Sequence, residues 1–357
     1  MVKYKKIIFI QRVTADYRLP FFDILYKYYS KNDVKFQVYY SKPIDGEKKQ
    51  ISSQVSRPYL RELEIKYFSF KKHYFYYQSI PLNKFTNDTL IVHNEASRSL
   101  SLYLILIIKF LRNYKLTLYG NNRGQGFLLK SLINFADGYL AYTQTALINI
   151  KKKINIGILN NSHISKSEVL KKTRSIKKLG DPINILLVAR IQPNKLLEEF
   201  LDIINYLRVT RKLNITFKIV GAANKENVNL IKSFLTNVDE YIPSVDFIER
   251  KKYFLWTDMI LMPGGIGLHV LDAWALKVPL VTYQNNTHGV ELEYLEMISS
   301  DCISENLEQL KLFSEKFIVN ESFRSDIKDK FENNDLNLTV EKMSENFIKW
   351  IEKIQFQ

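Results

Sequence analysis

The chain has 357 residues, 46% of them hydrophobic and 25% charged, with 52 Lys and Arg against 37 Asp and Glu for a formal net charge of +15. That length suggests about two domains, and the composition excludes a disordered or fibrous chain. The single cysteine, Cys302, excludes an internal disulfide and a cysteine-built metal site, while the scattered lysine excess predicts anionic partners in general.

Taken in chain order, the first apolar run is residues 7–10, behind a basic start. It is too short for the apolar region of a signal peptide and reads as a first strand, 6–10. A helix is expected over 20–29, where Pro20 suits a first turn, and a second strand over 34–40. Residues 66–80, KYFSFKKHYFYYQSI, interleave aromatics with cations, which suits a membrane interface and equally a strand with a surface loop. A strand at 89–92 ends beside His93, a base by chemistry but a lone histidine. The greasiest stretch, residues 100–111, is broken by Lys109 and falls short of the ~20 residues that span a bilayer. It is expected as a core helix within 96–113. Strands at 115–119, 138–141 and 156–159 complete the first half, with a helix between them at 128–135.

The polar, basic stretch 162–181 interrupts this alternation and is expected as the linker, with Gly180, Asp181 and Pro182 as turn formers. The second half restarts with a buried-strand run at 183–189. A helix near 196–207, a strand at 215–220, a helix near 226–237, a strand at 259–262, a helix at 268–276 and a strand at 280–283 follow. A last amphipathic helix covers 340–354. Short apolar runs alternating with helical patterns predict α/β units with parallel sheets, hence two Rossmann-like, doubly wound domains. Ligands in such sheets sit beyond the C-terminal ends of the strands.

Four segments fall at such ends. In MPGGIGLHVLDAWALKVPLVT (262–282), Gly264, Gly265 and Gly267 lie between a strand and a helix. There the backbone can approach a ligand, and the helix start, from Leu268 on, attracts phosphate. Asp272, on an otherwise apolar helix, needs a partner if buried, and a ribose diol would serve. A plain tight turn with a partly solvated Asp explains the same residues. In VARIQPNKLLEEF (188–200), Arg190 ends a strand and Lys195 opens the next helix, a pair suited to an anion. A salt bridge from Arg190 to Glu198 or Glu199 is the alternative. In NNTHGVELEYL (285–295), His288 and Glu291 follow a strand and would line the same cleft, or Glu291 would cap a helix. In YGNNRGQGF (119–127), a Gly/Asn-rich loop could approach a sugar or be a turn.

These segments, in this order, resemble the GT-B-fold retaining glycosyltransferases of family 4, the group 1 transferases, and within them bacterial polysaccharide-assembly members. RVTADYRLPFFDIL (12–25) is similar to the family's opening strand, loop and helix, and residues 138–162 to the close of its N-terminal domain. The resemblance implies a GT-B fold with two Rossmann-like domains facing a cleft: an acceptor-side domain at 1–165, a nucleotide-sugar-binding domain at 166–339, and a C-terminal helix, 340–357, returning to the first domain. It implies a metal-independent, retaining hexosyltransferase of capsule, exopolysaccharide or lipopolysaccharide synthesis. The donor would be a nucleotide-sugar, expected to be UDP-linked, and a substrate; no cofactor and no metal is expected. The acceptor would be a saccharide or lipid-linked.

Arg190 and Lys195 would grip the donor diphosphate and act in catalysis. Gly264, Gly265, Gly267, Leu268 and Asp272 would complete the donor site. Two departures stand out. The family's two glutamates, eight positions apart, fall on Gly264 and Asp272; in relatives the first lies near the transferred sugar and the second binds the ribose. A histidine of the N-terminal loop is replaced here by Gly120, Asn121 and Asn122, so Asn121 is the candidate catalytic hydrogen-bonding group and cannot be a general base. Loss of the first glutamate also fits a non-catalytic subunit or glycan-binding partner of another transferase. A nucleotide-sugar epimerase on the same fold is a further enzyme reading.

No nucleic-acid partner is expected, since Cys/His finger spacing and RNP-like aromatic strands are missing. The expected location is the cytoplasm, including the anionic inner face of the membrane, because one cysteine fits a reducing compartment.

Overall fold

The computed structural model describes residues 4–43, 56–70, 73–122, 133–147, 150, 154–171, 176–243, 245 and 249–355. The chain divides into two compact units, Met1–His163 with Leu338–Gln357, and Ile164–Asn337.

Unit 1 is built on strands β1 (Lys6–Ile10), β2 (Lys35–Tyr40), β3 (Leu60–Glu62), β6 (Thr89–Asn94), β7 (Lys115–Gly120), β8 (Gly138–Ala141) and β9 (Asn155–Ile158), with a separate hairpin of β4 (Ile65–Phe70) and β5 (His73–Gln78). Its main sheet has the order β3-β2-β1-β6-β7-β8-β9, and every pairing is parallel. Helix α1 (Leu19–Lys31) connects β1 to β2, and α2 (Leu100–Arg112) connects β6 to β7. Such crossovers place helices over a parallel sheet and bury its strands on both faces, which is why β1 reads as a continuous apolar run.

Unit 2 repeats the design with β10 (Ile183–Val188), β11 (Ile215–Val220), β12 (Glu240–Ile242), β13 (Met259–Leu261), β14 (Leu280–Tyr283) and β15 (Ile303–Ser304), in the order β12-β11-β10-β13-β14-β15, all parallel. Its helices are α3 (Leu197–Asn205), α4 (Lys225–Phe234), α5 (Lys251–Trp256), α6 (His269–Leu276), α7 (Leu292–Ser299), α8 (Leu307–Val319) and α9 (Glu321–Glu332). A π-helical turn, Tyr206–Thr210, extends α3.

The last helix, α10 (Val340–Gln355), belongs to unit 1. Its Met343, Phe347, Trp350 and Ile351 join the core of Phe9, Phe21, Phe22 and Phe36. The Phe347 ring lies 5.1 Å from that of Phe9, so the helix is sealed in by aromatic packing.

Two expectations change. The polar stretch 162–181 is not a free linker past residue 163. Leu170 N–H donates to the Ala275 carbonyl at 2.8 Å, Lys177 pairs with the buried Asp258 at 2.8 Å, and Arg324 donates to the Lys177 carbonyl at 2.9 Å. Its charges are fastened to unit 2 by long-range partners that local composition does not reveal. Helix α2, expected in the core, buries Leu102, Ile105 and Leu106 but leaves Ile107, Phe110 and Leu111 63%, 68% and 82% exposed. It covers one face of the sheet and has an apolar outer side. The expected helix at 128–135 lies for the most part outside the described residues.

Candidate functional site

In unit 2, β10 has β11 on one side and β13 on the other. The chain therefore winds outward in both directions from the β10–β13 boundary, a topological switch point whose crevice opens beyond the strand ends. The two loops that leave these strands, residues 189–196 and 262–268, are the ones that carry Arg190, Lys195 and the glycine turn.

The first loop differs from its expected form. Lys195 does not open a helix; it closes a 3-10 turn, Pro193–Lys195, and Leu196 in the left-handed region (φ +51°) separates it from α3. The first turn of α3 carries Glu198 and Glu199, so its dipole is complemented within the chain. Freed from the helix, the Lys195 side chain reaches across to donate to the Gly265 carbonyl. An ammonium has three donors, and that carbonyl is its one hydrogen-bond partner among the described residues. Burial pushes Lys195 below the ordinary lysine range, and the Glu291 carboxylate opposes the shift. Arg190, on the same loop, is exposed.

The close approach of the loops explains the glycines. A Cβ at Gly264 would collide with the Asn194 carbonyl and lie 2.6 Å from the Lys195 carbonyl carbon, and one at Gly265 would lie 2.8 Å from the Asn194 side chain. Gly264 is therefore glycine because backbone occupies the space of any side chain there. At Gly267 a Cβ would meet nothing within 4 Å, so this position faces open space at the start of α6. Leu268 caps that helix and is half-buried.

A third loop, after β14, fastens the turn. Asn285 Nδ2 donates to the Pro263 carbonyl at 2.8 Å, Gly265 N–H donates to Thr287 Oγ1 at 2.8 Å, and Ile266 N–H donates to His288 Nδ1 at 3.2 Å. His288 Nε2 lies 2.7 Å from the Tyr283 carbonyl, so that nitrogen carries the proton and Nδ1 is the acceptor. His288 is thus a neutral, buried staple of the glycine turn. Glu291 makes no side-chain cap to α7; its carboxylate sits where a Cβ on Gly289 would collide.

Asp272 does not meet the other donor-site candidates. It is 4% exposed, and the partner that its burial demands is supplied by the chain: Arg250 Nη2 donates to Oδ1 at 2.7 Å. The ribose diol expected for it is not needed to satisfy this oxygen. Arg250, itself largely buried, is the residue that sequence reasoning missed; nothing in its surroundings, ERKKYF at 248–254, marks it among ordinary surface cations.

Asn121 belongs to unit 1, not to this site. Its backbone N–H and that of Asn122 donate to Glu95 Oε1 at 2.8 and 2.6 Å, and Tyr139 donates to Oε2 at 2.5 Å. Glu95, buried at the end of β6, fixes the start of the 120–122 loop, and Gly120 makes room for it. The remainder of that loop, 123–132, lies outside the described residues. His93, next to it, is buried and held neutral, its pKa pushed down to about 4 by desolvation, and it bonds the Asn94 carbonyl at 2.5 Å.

Comparison with known proteins fits this geometry. Residues 182–295 match the family model described as glycosyl transferases group 1. No curated protein sequence matches the chain. Among solved structures, sucrose-phosphate synthase from Thermosynechococcus elongatus superposes with a TM-score of 0.67 at 10% identity, over 98% of this chain and 99% of that one. A mutant of S. aureus TarM, solved in complex with Fondaparinux, alpha-GlcNAc-glycerol and UDP, gives 0.62 at 9% identity, over 97% and 99%. A putative UDP-N-acetylglucosamine 2-epimerase from Listeria monocytogenes gives 0.65 at 14% identity, over 99% and 97%. The matched residues hold all three loops of the crevice, from β10 to the start of α7. The second unit thus carries a group 1 glycosyltransferase domain, and the chain as a whole has the GT-B fold.

Proposed function

We propose that the chain transfers a hexosyl group, with retention and without a metal, from a nucleotide diphosphate donor, UDP-linked, to a saccharide or lipid-linked acceptor in bacterial polysaccharide assembly. The observation that carries this reading is the position of Lys195 at the β10–β13 switch point. It is half-buried and bonded to the Gly265 carbonyl, beside a glycine turn whose Gly267 faces open space. A desolvated ammonium with donors to spare is a phosphate ligand by chemistry, and Arg190 adds a fork that grips two phosphate oxygens.

In this reading the two cations stabilise charge that grows on the leaving diphosphate, the condition for electrostatic catalysis. Gly265 and the Asn285–Thr287–His288 staples hold the turn so that Lys195 need not reorganise. The N–H groups at the start of α6 add partial positive charge. Glu291 faces Lys195 and keeps it protonated. With no base identified, the departing phosphate oxygen accepts the proton of the acceptor hydroxyl. The apolar outer side of α2, with Ile107, Phe110 and Leu111, supports a lipid-linked acceptor at an anionic membrane surface.

The reading is tested by turnover: the purified chain with UDP-hexoses and a lipid-linked saccharide, with the anomeric configuration of the product read by NMR. Product with the donor's configuration supports it; an inverted product or hydrolysis alone contradicts it.

A second reading, a non-catalytic GT-B subunit, is favoured by Gly264, where backbone packing leaves no room for a carboxylate beside the donor. It predicts nucleotide or glycan binding without turnover for any donor.

A further inference from the structure

Unit 1 has a switch point of its own. β1 lies between β2 and β6, so the loops after β1 and β6 bound a crevice beyond the strand ends, as those after β10 and β13 do in unit 2. The loop after β1, residues 11–18, ends in Arg18, which is 6% exposed. Its guanidinium lies over the rings of Tyr17 and Tyr142, 5.3 and 5.4 Å from their centroids, and Nη1 approaches Met343 Sδ at 3.8 Å. A thioether is a weak acceptor. Among the described residues Arg18 has no carboxylate partner, unlike buried Arg250. A buried cation left in that state is costly, and the usual remedy is an anion.

A second observation points the same way. Arg18 is the capping residue of α1, a helix of 13 residues whose start has no side-chain cap and no acidic residue in its first turn. The positive end of that helix is therefore uncompensated by its own sequence, whereas α3 carries two glutamates in its first turn. A buried guanidinium and an open helix start converge on one place.

We propose that this crevice is an anion subsite, in which Arg18 and the start of α1 hold a phosphate or carboxylate group of the acceptor. The word acceptor rests on the transferase reading above; the binding of an anion does not.

The test uses the full chain with Arg190→Ala and Lys195→Ala, so that unit 2 no longer competes for anions. Hydrogen exchange is followed over residues 11–22 on titration with inorganic pyrophosphate and, separately, glucuronate, at constant ionic strength. Protection there by pyrophosphate identifies a phosphate group, and protection by glucuronate a carboxylate. Either supports the subsite if Arg18→Met weakens it about ten- to a hundredfold, the loss expected for charge-assisted hydrogen bonds. Arg18→Lys keeps the charge without the fork; it retains part of the protection and serves if the methionine variant does not fold. No protection at 11–22 by either anion, or protection unchanged in both variants, overturns the proposal. Nucleotide binding by the otherwise unmutated chain, measured alongside, shows whether the transferase reading stands when the subsite fails.

Discussion

The two units have the same parallel topology and a switch point each, yet they furnish them differently. In unit 2 the crevice is walled by backbone. Gly264 and Gly265 let the 193–196 turn press against the turn after β13, and three side chains from one neighbouring loop bond to its main chain. In unit 1 the crevice is walled by side chains drawn from distant elements: Arg18, Tyr142 and Met343 at one place, Glu95 and Tyr139 at another. A backbone-walled site holds a ligand by N–H groups and a placed cation, and tolerates little change of residue size. A side-chain-walled site is set by charge and hydrogen bonding, and changes of chemistry rather than size should disturb it.

The largest expected effect is at Asp272. If its task is to neutralise Arg250, Asp272→Asn leaves a buried guanidinium without its counter-charge and lowers stability by about 3–5 kcal/mol, read by urea unfolding. If its task were to hold a ribose, stability would stay and nucleotide affinity alone would fall. Next is Gly264→Ala. The added methyl has no space, so the variant should lose about 1–3 kcal/mol and most of its nucleotide affinity, because Lys195 moves with the displaced backbone. An alanine variant that binds and unfolds as the parent does would show that unit 2 is not walled by backbone.

In unit 1 the corresponding change is chemical. Glu95→Gln keeps the shape but gives up a carboxylate that accepts three hydrogen bonds, and should cost about 1.5–3 kcal/mol. Exchange at the amides of Asn121 and Asn122 should quicken, with the β10–β13 crevice untouched. The smallest effect is one of pH. Burial lowers the Lys195 pKa below its ordinary value of 10.5, and its cation is present below that lowered pKa and lost above it. Binding of a nucleotide diphosphate should therefore weaken on the alkaline side at a lower pH than a solvated lysine would give. Lys195→Arg should abolish that dependence.

These contrasts explain what could be read from the sequence. Every strand of both central sheets that is a continuous apolar run, such as residues 6–10 and 215–220, was legible, because burial on both faces writes itself into consecutive residues. Short edge strands such as β3, β12 and β15, with two or three residues each, were not. The hairpin of β4 and β5 was half legible: its aromatics argued for a strand, but its pairing depends on a turn, residues 71–72, made of two lysines. In the site, the glycine turn and Lys195 could be found because backbone approach demands glycine at fixed places. The role of His288 as a staple and the pairing of Asp272 with Arg250 could not, because a partner 22 residues away leaves no local mark. Arg18 sat in a segment that the sequence singled out for its resemblance, but only the structure shows it buried without a carboxylate.

The account turns on whether the β10–β13 crevice binds a nucleotide diphosphate through Lys195 and Arg190. Calorimetric titration of the chain with UDP and GDP, repeated with Lys195→Ala and Arg190→Ala, tests this directly. Binding of UDP by the parent chain, reduced at least tenfold in each variant while both remain folded, is the result predicted. Absence of binding by a folded parent chain, or affinity unchanged when Lys195 is removed, would contradict the assignment of this crevice as the donor site.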